Sequence, residues 1–157
     1  MSFDFNVDEI FEIAEQIERN GACFYRKAAE KIQDADKKQL LAHLAEMEDD
    51  HEQIFKNMRA KLSEDEKIMT DFDPEGETSG YLKALADTRI FYEKETDFTS
   101  FEEILKSAIT AEKDSIVFYT GMKDTVPGHL GKNKIDEIIK EEMGHIKILS
   151  NELLELK

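Results

Sequence analysis

Glutamate and histidine recur in this chain in a pattern that could hold metal ions. Glu48-Asp49-Asp50-His51 and Glu142-Met143-Gly144-His145 each spell E-x-x-H. Glu18 stands 33 residues before His51, and Glu112 stands 33 residues before His145. Adding 94 to Glu18, Tyr25, Glu48 and His51 gives Glu112, Tyr119, Glu142 and His145. The chain therefore carries one candidate half-site twice. In an E-x-x-H segment on a helix the two side chains lie about one turn apart on one face, so both can reach one metal cluster. Four carboxylates carry −4, which two divalent cations would balance, and each histidine can add a neutral imidazole nitrogen. Mixed oxygen and nitrogen ligands suit iron or manganese, with zinc able to substitute in vitro.

A lone E-x-x-H is a weak signal, and His43 and His129 lack it. What strengthens the reading is where the six residues fall. The first helix reads from about 7 to 32, with Asn6 or Asp8 able to cap it. Its apolar positions Phe11, Ala14, Gly21, Tyr25, Ala28 and Ile32 keep a 3-4 spacing, and Glu18 takes the missing slot. The second, about 37 to 62, has the seam Leu41, Leu44, Glu48, His51, Phe55, Met58 and Leu62. The third, about 101 to 124, has Phe101, Leu105, Ala108, Glu112, Ser115, Tyr119 and Met122. Ser100 caps it, with Glu103 placed to complete a capping box. The fourth, about 134 to 156, has Ile135, Ile138, Glu142, His145, Leu149 and Leu153 or Leu156. Each of the six thus occupies a core position near mid-helix, where an unpaired carboxylate costs several kcal/mol.

These elements predict an all-α, four-helix bundle of two antiparallel pairs within one domain spanning 1–157. The turn near Asp34-Ala35-Asp36 is short, so the first two helices should be antiparallel. The stretch from about 63 to 100 is a crossover. A helix of roughly 26 residues is about 39 Å long, and a chain beginning its next helix parallel to the last must travel that distance back. It contains Asp73-Pro74-Glu75-Gly76 and an apolar segment, Tyr81 to Tyr92, expected to include a short helix.

Composition removes several alternatives. The net charge of −15 argues against nucleic acid, which needs a basic face. No run approaches 18 apolar residues, so no membrane span is expected. The acidic start, Met1 to Asn6, is unlike a secretory signal. One cysteine, Cys23, permits no intramolecular disulfide and fits a reducing cytoplasm. It is read as a small apolar helix residue. Tyr25 and Tyr119 have two readings: core tyrosines with satisfied hydroxyls, or donors to a ligand carboxylate that orient it.

With Glu18 and Phe24-Tyr25, Glu48-x-x-His51, Glu112 and Phe118-Tyr119, and Glu142-x-x-His145, the chain resembles the rubrerythrins of the ferritin-like superfamily over nearly its whole length. The resemblance implies a non-haem di-iron centre that reduces hydrogen peroxide under oxidative stress, in a dimer or larger homo-oligomer. Rubrerythrins proper append a cysteine-rich rubredoxin domain. This sequence has none, so electrons are expected from an external donor such as a rubredoxin-like protein. Rubrerythrins also carry an extra carboxylate one turn after the third-helix glutamate, where this chain has Ser115. The six-ligand set resembles that of bacterioferritin, which keeps open an iron-handling ferroxidase or a di-iron oxygenase using O₂. A fifth C-terminal helix of the kind common in storage ferritins is not expected after the fourth, which argues against a storage cage.

Overall fold

The computed structural model describes residues 6–68, 77–86 and 96–157. The elements are α1 (Val7–Lys31), α2 (Ala35–Ala60), α3 (Glu64–Lys67), α4 (Glu77–Leu85), α5 (Phe101–Met122) and α6 (Lys132–Glu155). Two 3₁₀ turns, Lys123–Thr125 and Gly128–Leu130, join α5 to α6. No strand occurs among the described residues.

Local chemistry sets the helix ends. Asn6, rather than Asp8, caps α1 by accepting the Glu9 amide at 2.9 Å. Asp8 lies inside the first turn and binds Arg59 of α2 through Nε at 2.8 Å. Asp34 caps α2 by accepting the Lys37 amide, which starts that helix two residues before the expected position. Ser100 Oγ accepts the Glu103 amide, but the Ser100 amide donates to the Asp97 carbonyl, so the expected reciprocal bond from Glu103 is displaced. The reciprocal capping box forms instead at Ser63 and Glu66, which open α3.

The buried residues sort into two apolar layers, and their composition gives the topology. One layer joins Val7, Ile10 and Phe11 of α1 to Phe55 and Met58 of α2, Phe118 and Met122 of α5, and Ile135 and Ile138 of α6. The other joins Ala28 of α1 to Leu41 and Leu44 of α2, Ile104 and Leu105 of α5, and Leu149 of α6. The start of α1 therefore meets the end of α2, the end of α5 and the start of α6. Helix α1 runs antiparallel to α2 and α5 and parallel to α6, as a ferritin-like bundle with a long crossover requires.

The crossover contributes to the first layer through α4, whose Leu82 is fully buried. A Cβ at Gly121 would stand 3.0 Å from Leu82 Cδ2 and 3.2 Å from Tyr81 Cε2, so glycine there lets α4 lie close on α5. Helix α4 is the short helix expected in the apolar segment, set earlier and ending at Leu85. The rest of that segment from 87, and Asp73 to Gly76, lie outside the described residues. At the end of α6, Leu153 packs on the second layer while Leu156 is exposed, which decides between the two seam candidates. Among the described residues, no helix is long and apolar enough to cross a membrane.

Candidate metal centre

Between the two apolar layers lies a polar belt. Glu18 of α1, Glu48 and His51 of α2, Glu112 of α5, and Glu142 and His145 of α6 are each at most 3% exposed. Helical period alone delivers them there, since each replaces an apolar residue in a seam that is otherwise buried. In both E-x-x-H segments histidine and glutamate face the same interior, and the two imidazoles lie nearly parallel across it, 6.0 Å apart at 18°.

The contacts are mutual. His51 Nδ1 is 3.5 Å from Glu18, 3.4 Å from Glu48 and 3.3 Å from Glu142. His145 Nδ1 is 3.5 Å from Glu112 and 3.2 Å from Glu142. Two compact groups of donor atoms result, each with all members within 4.8 Å of one another. One comprises Glu18, Glu48, His51 and Glu142; the other Glu48, Glu112, Glu142 and His145. Glu48 and Glu142 belong to both, whereas Glu18 and Glu112 each belong to one. Gly21 makes room beside Glu48, because a Cβ there would sit 3.2 Å from Glu48 Oε1.

Electrostatics in the belt follow from burial and crowding. Burial raises the Glu18, Glu48 and Glu142 pKa values, and neighbouring carboxylates add to the rise. Burial works against a charged His51, but the Glu142 and Glu18 carboxylates beside it prevail and raise its pKa from 6.5 to about 11. His145 is likewise opposed by burial, yet Glu112 and Glu142 raise it from 6.5 to about 9.

Seven buried side-chain polar atoms have no hydrogen-bond partner among the described residues, and every one belongs to these six residues. They are Oε2 of Glu18, Glu48 and Glu112, Oε1 of Glu142, Nδ1 of His51, and both ring nitrogens of His145. An unsatisfied buried polar atom costs about 1–3 kcal/mol, and the contacts of 3.2–3.5 Å within the belt set only two imidazoles against four carboxylates, so the belt is suited to a compensating ligand. Carboxylate and imidazole donors in two groups with two shared members fit a pair of divalent cations.

Both tyrosines reach the belt, each across the bundle. Tyr25 of α1 donates to Glu112 Oε1 at 2.6 Å, and Tyr119 of α5 donates to Glu18 Oε1 at 2.6 Å. Their own helices carry Glu18 and Glu112, but antiparallel packing of α1 and α5 brings each tyrosine to the other helix's glutamate. Burial first, and then the nearby carboxylates, push both phenol pKa values well up, so both remain O–H donors.

Other candidates lie elsewhere. Ser115 is buried but donates back to the Ala111 carbonyl at 2.9 Å. His43 and Cys23 are exposed, and exposed His129 pairs with Glu66 at 2.6 Å. Sequence reasoning missed Glu141, whose Oε2 lies 2.5 Å from His51 Nε2. It adjoins Glu142 and so falls off the seam; the one signal was its departure from the repeat, since 94 residues earlier stands Met47.

The Rubrerythrin family model matches residues 1–59, a span holding Glu18, Glu48 and His51. Among solved structures, one from Thermotoga maritima described as a ferritin-like diiron-carboxylate protein is 24% identical, with a TM-score of 0.73 over 100% of both chains. No curated protein matches the chain. The resemblance drawn from the motifs thus holds as sequence in the first helix pair, and as fold over the whole bundle.

Proposed function

We propose that this chain, ferritin-like in fold and matched by the Rubrerythrin family model over its first helix pair, is a non-haem di-iron oxidoreductase that reduces hydrogen peroxide with electrons from an external donor. The observation that carries the reading is the belt itself: seven orphaned buried donor atoms, all on four glutamates and two histidines. Glu48 and Glu142, common to both donor groups, would serve both ions, with Glu18 and His51 completing one set of ligands and Glu112 and His145 the other. Iron ions held there would supply two one-electron centres, matching the two electrons that, with two protons, convert hydrogen peroxide into two waters.

The remaining work falls to the protein. Tyr119 and Tyr25 hold Oε1 of Glu18 and Glu112, which leaves Oε2 of each carboxylate free and fixes its orientation. The apolar layers on either side keep bulk water from the belt and lower the local dielectric.

Stopped-flow oxidation of the anaerobically Fe²⁺-loaded protein tests the reading, with peroxide and O₂ compared at equal concentration. Peroxide should oxidise two irons per chain much the faster, and Glu48→Ala or Glu142→Ala should abolish that reaction. Peroxide consumption surviving in either variant contradicts the proposal. A second reading, a ferroxidase that passes on or stores iron, draws support from Ser115, whose hydroxyl is turned to its own helix and adds no seventh ligand. It requires faster oxidation by O₂ and uptake beyond two irons per chain.

A further inference from the structure

The two half-sites repeat in every candidate ligand but differ in what stands behind each histidine. His51 and His145 both turn Nδ1 toward the carboxylates of the belt. Their other ring nitrogens have different surroundings. His51 Nε2 lies 2.5 Å from Glu141 Oε2. His145 Nε2 is buried without a hydrogen-bond partner among the described residues. At the position equivalent to Glu141 the repeat places Met47, half-buried and carrying no charge. Successive residues on a helix point about 100° apart, so α6 sends Glu142 into the belt and Glu141 around its flank to α2.

An ionised carboxylate only accepts hydrogen bonds, so when His51 gives up one proton to ligate a cation, the proton it keeps belongs on Nε2 and the lone pair on Nδ1 faces the belt. Glu141 thereby fixes both the tautomer and the ring plane of His51. Its charge also makes the imidazole a stronger electron-pair donor. His145 has neither advantage. Glu141 is about half exposed, so it can serve His51 without itself becoming a buried charge.

We propose that Glu141 makes the two cation positions unequal: the position formed by Glu18, Glu48, His51 and Glu142 fills first and holds its ion more tightly than the one completed by Glu112 and His145. This rests on reading the belt as a two-cation site and adds an order of filling to it. Glu141 is a positioning residue acting through His51.

The test is an anaerobic titration of the metal-free protein with Co²⁺, followed by calorimetry and by visible absorption. The wild type should fill in two steps, the first at least roughly ten-fold tighter. Outer partners of metal-bound histidines typically contribute 10–100-fold in affinity, so Glu141→Met should weaken the first step by about that factor and draw the two together. Glu141→Gln, which keeps an acceptor oxygen without the charge, should fall between. Met47→Glu should tighten the second step and narrow the gap from the other side. In a His51→Ala background, Glu141→Met should change nothing further, which a merely structural role for Glu141 would not produce. Two equal steps in the wild type, or a first step unmoved by Glu141→Met, overturn the proposal and leave the two-cation belt standing. No Co²⁺ uptake at all overturns both.

Discussion

The layer around Leu44, Leu105 and Leu149 and the belt around Glu48, Glu112 and Glu142 lie one to two helical turns apart in the same bundle, equally buried. They relate to stability in opposite ways. Leu44, Leu105 and Leu149 are fully buried, and each contributes about 1.5–3 kcal/mol by leaving water. In the belt the same burial is a cost, because the charged forms of Glu18, Glu48 and Glu142 are disfavoured and their repulsion adds to it. The seams treat both alike, since helical period decides only which residues go inside. What differs is the partner each interior requires: the layer needs more carbon, whereas the belt needs positive charge, which the proposed cations would supply.

The largest effect expected from breaking this contrast is in the layer. Leu44→Ala should destabilise the metal-free protein by about 2–5 kcal/mol in denaturant unfolding, whatever the pH. Next is the opposite result one turn away. Glu48→Gln keeps the shape of a belt residue and removes a buried charge that burial and the neighbouring carboxylates oppose, so it should leave the metal-free protein at least as stable as the wild type. The same variant should lose high-affinity metal uptake. A loss of stability comparable with Leu44→Ala would mean that the belt holds the fold together without cations.

A smaller and graded effect is expected in pH. Folding raises the pKa of His51 to about 11 and of His145 to about 9, against 6.5 for the free side chain, and also raises Glu18, Glu48 and Glu142 above 4.5. The folded belt binds protons more tightly than the unfolded chain does. The histidine contribution is therefore complete below pH 6.5 and lost as pH rises through about 9 and 11. The glutamate contribution is complete below 4.5 and falls as pH passes the raised values. Metal-free wild type should thus lose stability steadily from neutral to alkaline pH, and Glu48→Gln less steeply. Leu44→Ala should give a curve parallel to wild type. Unfolding midpoints measured across pH check all three.

Much of this contrast was legible in the sequence. The 3-4 spacing placed the seams, and the offset of 94 singled out Glu18, Glu48, His51, Glu112, Glu142 and His145, which the fold brings into one belt. Three features were not. Periodicity assigns a face to a tyrosine but not a partner, so the exchange of Tyr25 and Tyr119 between helices needed the antiparallel packing of α1 on α5. The sharing of Glu48 and Glu142 by both donor groups depends on side-chain reach across the bundle. Glu141 lay hidden because a residue beside a seam position has no periodic signal, and only the mismatch with Met47 marked it. Cap chemistry was local enough to read at Asn6, yet Ser100-x-x-Glu103 and Ser63-x-x-Glu66 share one pattern and only the second closes reciprocally.

In the proposed function the belt is built around two cations. The most direct measurement is anomalous scattering at the iron absorption edge, from crystals of protein loaded anaerobically with Fe²⁺. Two peaks roughly 3.5–4 Å apart, between Glu48 and Glu142 with one beside each histidine, are the predicted result. A belt without anomalous peaks in iron-loaded crystals, or with iron bound only at the surface, would contradict it.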